Sequence, residues 1–349
     1  MSDAVPSVAD GLPLLYRAML PELAALRWPE ESRATCADCV MRPEAPGLRP
    51  GWPTFADPSR CCTYAPSLPN HVAGRILRRG GEGAARLRAR LEETLDGVEV
   101  SHVHAPGAMR RAYDGRRPGD FGNRADLRCS YWSQGRCTIH VDRVASCRTW
   151  FCRSVDGRHG QLSWSALRAG LFAVEEALAE RCVMDGAAPR EGASMEAFVE
   201  WYRWCAAHVD GLPPQSLAPE RGAAIRAAVE RRDQPLPDVV VPLVTHRVGS
   251  GDDLGLSAWS LYDLTRAPGW LFRFLSRLDG QRTWREALTA TRAEWDAPIA
   301  GDWPERLWRL GLLSRPDDHM ATSDDVARDG LVGMQIEIVG STPAVDRPQ

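Results

Sequence analysis

Four cysteines fall within twenty-four residues, in the run CSYWSQGRCTIHVDRVASCRTWFC, spaced Cys129-x7-Cys137-x9-Cys147-x4-Cys152. Four more lie upstream, as Cys36-x2-Cys39 and the vicinal pair Cys61-Cys62, so eight of the ten cysteines precede residue 153. A chain that concentrates thiols in this way builds a metal site or a disulfide framework. Either one can fix loops that carry too little regular hydrogen bonding to fix themselves. The segment between Cys36 and Cys62 is such a loop: it holds Pro43, Pro46, Pro50, Pro53 and Pro58 with Gly47 and Gly51, and shows no helical or strand period.

The choice between metal and disulfide turns on the compartment. The first residues, MSDAVPSVADG, offer neither a positive n-region nor an apolar run, so no secretory signal is expected. No stretch approaches the roughly 18–20 apolar residues of a membrane span. The expectation is a soluble, cytoplasmic protein with no membrane partner, and there disulfides rarely persist. Clustered thiols then point to metal or redox chemistry.

Thiolates are soft ligands, and four of them suit zinc or an iron–sulfur cluster. The two-residue gap in Cys36-x2-Cys39 lets both sulfurs reach one metal from a tight turn. Side chains of the adjacent Cys61 and Cys62 diverge, so a multinuclear cluster or two neighbouring sites would use the pair more readily than one tetrahedral ion. The spacing does not select the metal.

Composition excludes several chemistries. All 43 basic residues are Arg, so a Schiff-base lysine and a P-loop lysine are both absent. The formal net charge is −3, which makes a nucleic-acid partner unexpected. No GxSxG occurs. His102 and His104 form an HxH in SHVHAP, read as a strand edge in preference to a metal pair. Arg110, Arg111, Arg116, Arg117, Arg124 and Arg128 crowd the loop 104–128. They are read as a solvated loop whose charge offsets nearby thiolates, with an anionic partner as the alternative.

The rest of the chain reads as helices. Residues 12–28 predict one or two short helices interrupted by Pro21. Residues 70–96 predict a helix capped by Asn70 and broken at Gly80-Gly81. From Gln161, Trp164, Leu167, Leu171, Val174, Leu178 and Cys182 recur at helical steps, as do Phe198, Tyr202, Cys205 and Val209. Cys182 and Cys205 thus read as core residues. A helix is expected near 219–232 and a boundary near 235. Beyond it come a strand over Val239–Val244 and a helix from Trp270 that stops at Gly280. A helix opened by the capping box Thr283–Glu286 follows, then one opened by Asp302 and ending at Gly311. The tail after 321 carries a small apolar segment and reads as frayed. The organisation is 1–160 cysteine cluster, 161–235 helical region, 236–320 C-terminal module and 321–349 tail.

The segment Cys137-Thr-Ile139-His140, followed by Arg143 and then Cys147-Arg148-Thr-Trp150, resembles the YkgJ-type (CxxCxxCC) family of zinc- or iron-chelating cysteine-cluster proteins. The resemblance covers about 36–153. Twenty-one residues separate Cys39 from Cys61 where that family has two, Val144 replaces its proline, and His140 replaces its usual tyrosine. It implies bound iron or zinc, with Cys36, Cys39, Cys61, Cys62, Cys129, Cys137, Cys147 and Cys152 as ligands and His140 as an additional candidate. Arg143 and Arg148 would bond to backbone or screen thiolate charge. The family includes proteins described as flagellin lysine N-methylase, which raises an enzyme alternative by analogy. Leu278–Thr283 and Arg309–Leu313 are similar to a PqqD-like winged-helix module, which implies a protein or peptide partner.

The expected fold is therefore mainly α with irregular metal-stabilised loops, followed by an α+β winged-helix-like C-terminal module. The expected function is metal chelation, as an iron–sulfur cluster or zinc, by clustered thiolates. Two alternatives stand beside it: an iron–sulfur enzyme modifying a protein or peptide recruited by the C-terminal module, and a metal-sensing winged-helix regulator.

Overall fold

The computed structural model describes residues 12, 14–20, 23, 26–29, 39–45, 48–49, 51–58, 60–117, 119–190, 192–213, 219–249, 254–295 and 301–318. Within them the chain is mainly α, with four small antiparallel sheets. Among the described residues no helix is long and apolar enough to cross a membrane.

The first part runs α1 (Leu14–Met19), β1 (Leu68–Pro69), α2 (Asn70–Arg79), α3 (Gly81–Glu93), β2 (His102–Val103) and α4 (Gly107–Asp114). A hairpin, β3 (Trp132–Ser133) with β4 (Arg136–Cys137), precedes the short α5 (Ala145–Arg148). Three longer helices follow: α6 (Gly157–Asp185), α7 (Met195–Asp210) and α8 (Pro219–Glu230). The break between α2 and α3 falls at Gly80 and Gly81, whose φ values of 74° and 69° are open to glycine at little cost. Asn70 does not cap α2 as expected. It lies inside the helix, with Pro69 at the cap, and its amide donates to Val100 O (3.1 Å) and Ala179 O (3.0 Å).

One core gathers the apolar stripes of α2, α6 and α7 with residues from Leu12 to Val229. Residues on both sides of position 160 contribute to it. Helices α2 and α7 approach closely because Gly74 has no β-carbon; one placed there would lie 1.8 Å from Tyr202 O. Cys182 and Cys205 are fully buried on α6 and α7, as their apolar-face spacing predicts. Each such buried side chain contributes on the order of 1–3 kcal/mol.

The C-terminal part comprises β5 (Val241–Pro242), β6 (His246–Val248), β7 (Leu254–Ser257), β8 (Thr265–Ala267), α9 (Trp270–Leu275), α10 (Trp284–Glu294), α11 (Trp303–Arg309) and β9 (Leu313–Ser314). Strands β6, β7 and β8 form one sheet, and β5 pairs with β9. The strand expected over 239–244 pairs only at Val241–Pro242, with Val239 bridged to Thr283. Helix α9 ends at Leu275, earlier than Gly280. The capping box forms: Thr283 Oγ1 accepts from Glu286 N, and Glu286 Oε2 accepts from Thr283 N at 2.8 Å. These elements enclose a second core, from Val240 to Leu313.

The two parts dock. Arg158 N donates to Leu310 O (2.9 Å), the His159 ring stands edge-on to Trp308, and the 259–263 loop reaches the cysteine region. Pro21, Cys36 and the tail after 321 lie outside the described residues.

Candidate functional site

The vicinal cysteines sit in a one-turn 3-10 segment, Arg60–Cys62. Arg60 N donates to Asp57 O (2.9 Å) and Thr63 N to Arg60 O (3.2 Å). Arg60 holds φ at 51°, a left-handed conformation that costs a residue with a β-carbon about 1–2 kcal/mol. The turn is therefore held by its surroundings rather than by its own preference.

The central cysteines are brought to this turn by backbone bonds. Cys129 N donates to Cys62 O at 2.7 Å. The chain then reverses through Gln134 and Gly135, whose φ values of 46° and 80° suit a two-residue hairpin turn. Trp132 pairs with Cys137 across it, which returns Cys137 toward Cys129. Thr138 N and its hydroxyl both donate to Tyr131 O (2.9 and 2.7 Å), fixing the exit. Cys147 follows on α5, where Ala145 N donates to the buried carboxyl group of Glu175 at 2.9 Å. Arg148 grips the carbonyls of Arg143 and Val141, and Arg143 donates to His140 O, so both arginines do bond to backbone as expected.

The thiols fall into two sets. Cys129, Cys62, Cys137 and Cys147 pack on the first core. Cys39, Cys61 and Cys152 pack on a separate small core of Met41, Phe55, Phe121 and Tyr262. The described cysteines are all free thiols.

Electrostatics ties the sets together. The hydrogen bond between Cys61 and Cys62 lowers the Cys61 thiol and raises that of Cys62, and Arg143 and Arg60 lower Cys61 further. Burial pushes Cys129 up to about 12, with Cys137 and Cys61 adding to it. Burial, then the neighbouring Cys129, pushes Cys147 up to about 12. Cys137 is raised by burial and by Cys61. Cys152 is raised by burial, then by Cys61 and Cys39. Cys61 acts on members of both sets and is the described thiol there that its neighbours favour as an anion.

Aromatic rings line the smaller set, whose thiols are half-buried. Phe55 meets Phe121 and Tyr262 edge-on at 5.4 and 5.2 Å, and Phe121 meets Trp150 at 5.5 Å. Tyr262 comes from the C-terminal part. Its carbonyl accepts from Arg153 Nε (3.2 Å), and Asp263 Oδ2 accepts from Ser154 N (3.1 Å).

Soft thiols in a half-buried, aromatic-lined setting suit zinc or an iron–sulfur centre. The coordination geometry is not finished, however. Among the described residues no three His, Cys, Asp or Glu side chains are gathered closely enough to hold an ion as they stand. The thiols share a neighbourhood, and side-chain rotation would have to draw them in. Cys36 lies outside the described residues. His140 is exposed, and the groups that lower it after burial are Arg143 and Arg148, not cysteines.

Three of the six loop arginines have partners other than thiols. Arg124 pairs with Asp120 and Asp126, Arg128 with Asp57, and Arg116 lies over the Tyr113 ring. Carboxylates pair with Arg124 and Arg128.

Sequence reasoning missed Glu175 and Tyr262. Glu175 is 1% exposed, and burial pushes its carboxyl up to about 8. Its signal was position: it stands four residues after Leu171 and three before Leu178 on the apolar stripe. Tyr262 carried no local signal, because its contact with Phe55 spans about two hundred residues. Compared with family models, with curated proteins and with solved structures, the chain matches none.

Proposed function

We propose that this chain is a metalloprotein whose clustered cysteine thiolates bind iron, as an iron–sulfur cluster, or zinc. One observation carries the reading. Thiols from distant segments, Cys39, Cys61-Cys62, Cys129 with Cys137, and Cys147 with Cys152, assemble as free thiols in one electrostatically connected group. Crowding thiols in this way without oxidising them is unfavourable for the thiolate forms, and a cation is what would compensate it. The split into two sets bridged by Cys61 and Cys62 favours a multinuclear cluster or two adjacent ions over a single one. The YkgJ-type resemblance points to the same chemistry, and thiols kept free accord with a cytoplasmic setting.

The C-terminal part is read as a winged-helix-like module that recruits a protein or peptide. The three-stranded β6–β7–β8 sheet beside α9, α10 and α11 supports that reading. Its Tyr262 loop packs on Cys152 and its neighbours, so a partner at the module and a metal at the thiols would act on shared contacts. This supports an iron–sulfur enzyme acting on a recruited peptide over a DNA-binding regulator, which the net charge of −3 disfavours.

The test is metal analysis and a visible spectrum of protein purified without oxygen. Iron with acid-labile sulfide and a brown colour supports the cluster; stoichiometric zinc in colourless protein supports chelation without a cluster. Protein with neither metal and every thiol titratable would overturn the reading.

A further inference from the structure

Helices α2 and α7 end beside one another. Their close approach at Gly74, which faces Tyr202 O and the Ala206 side chain, brings the last turn of α2 to the last residue of α7. Arg75 and Arg78 of α2 then share one carboxylate, that of Asp210. Arg75 Nη2 donates to Asp210 Oδ1 at 3.2 Å, and Arg78 Nη1 donates to Asp210 Oδ2 at 2.7 Å. Arg79 donates from Nε and Nη2 to Asp142 (2.7 and 3.0 Å), a buried side chain on the segment between Cys137 and Cys147. Arg75, Arg78, Arg79 and Asp210 line an open cavity of about 360 Å³.

The charges around this cavity do not balance. Arg75, Arg78 and Arg79 stand three and four residues apart, so like charges share one helix face. One lining carboxylate answers three guanidinium groups. Asp142, which holds Arg79, also lies in the field of Arg148, whose guanidinium grips the carbonyls of Val141 and Arg143 on either side of it. Four guanidinium groups against two carboxylates leave two positive charges. The C-terminal ends of α2 and α7 offset about half a charge each, so the surplus remains positive. It is felt inside the protein: burial lowers His71, and Arg75 lowers it further. The donors are unspent as well. A guanidinium carries five N–H groups, and Asp210 engages only one nitrogen of Arg75 and one of Arg78 among the described residues.

We propose that this cavity binds a small phosphomonoester through Arg75, Arg78 and Arg79. Guanidinium forks match phosphate oxygens in geometry, and a dianion answers the surplus charge. A single carboxylate would only repeat what Asp210 supplies. Asp210 marks the place: its two oxygens span Arg75 and Arg78 as two phosphate oxygens would. Arg79, anchored by Asp142, adds a third charge from the adjoining position. The cavity's volume falls at the lower end of the roughly 300–1,000 Å³ of small-molecule sites, which leaves room for an ester group beside the phosphate. The inference uses no cysteine and stands apart from the thiol reading.

The test is calorimetric titration of the full chain with glycerol 3-phosphate at low salt, where screening is weakest. The expected result is one equivalent bound with a Kd of about 1 mM or tighter, inorganic phosphate competing for it, and glycerol not binding. Arg78→Gln and Asp210→Asn alter side chains that are 46% and 47% exposed, so both variants should melt as the native chain does. Arg78→Gln should weaken binding at least about tenfold. Asp210→Asn removes the competing carboxylate and should tighten binding about threefold or more. A purely structural ion pair would give no such gain. No saturable binding of glycerol 3-phosphate, equal binding of glycerol, full affinity in Arg78→Gln, or no gain in Asp210→Asn would overturn the proposal.

Discussion

Cys61 and Cys62 are joined by one peptide bond yet pack into different cores, Cys62 with the helical core and Cys61 with Phe55, Phe121 and Tyr262. Divergence of neighbouring side chains makes this division the natural use of a vicinal pair. It also makes the pair the hinge between the two thiol sets.

If the thiols hold metal, their serine variants should lose it by set. Cys62→Ser should lower bound metal as Cys129→Ser, Cys137→Ser and Cys147→Ser do. Cys182→Ala and Cys205→Ala should leave metal content unchanged and cost stability alone, within about 0.5–3 kcal/mol. Elemental analysis of each variant, beside a thermal melt, checks this. Equal metal loss in Cys205→Ala would count against the assignment.

Glu175 should make stability fall as pH rises. Its carboxyl titrates near 4.5 when free and at about 8 in the fold, because burial disfavours the anion. A group raised in this way contributes fully below about pH 4.5 and loses its contribution as pH climbs to about 8. Glu175→Gln keeps an acceptor for Ala145 N and carries no charge. Its stability relative to the native chain should therefore improve between those limits, by on the order of a few kcal/mol. Denaturation midpoints of both proteins across that range check the sign, and a gap that stays constant would contradict it.

Gly74→Ala should destabilise the helical core. The added β-carbon would sit 1.8 Å from Tyr202 O, and a backbone carbonyl inside α7 cannot turn aside. Overpacking of this kind costs about 1–3 kcal/mol or more. Urea unfolding gives the loss, and a neutral result would mean that α2 and α7 are not in this contact.

Thr283→Ala should weaken the C-terminal part alone. It removes the hydroxyl that accepts from Glu286 N and donates to Glu286 Oε2, while the backbone amide of residue 283 keeps its bond to that carboxylate. The expected cost is about 1 kcal/mol. Amide exchange should quicken across Trp284–Glu294 and stay unchanged in Gly157–Asp185, where the helix has no part in this cap.

Helix placement was legible because it is local. The periods at Trp164–Cys182 and Phe198–Val209, the glycine break after Arg79 and the Thr283 capping box each depend on residues within a few positions. The ends of the strand at Val241 and of the helix at Leu275 were less legible, since pairing partners and packing decide where regular structure stops. Asn70 shows the limit most clearly. Its type and position suit an N-cap, but two carbonyls brought in by α6 and the 97–104 hairpin compete for its amide and win.

The sequence by itself determined the inventory: clustered cysteines, no lysine, apolar helical faces and a closely spaced histidine pair. Only the tertiary structure decided which of these groups meet. Cys62 joins Cys129 across more than sixty residues, Tyr262 closes over Cys152 from the far end of the chain, and Glu176 is set beside His102 by a clamp from Asn70. Such meetings depend on which surfaces are buried together, and burial is a property of the whole packed chain rather than of any local run of residues.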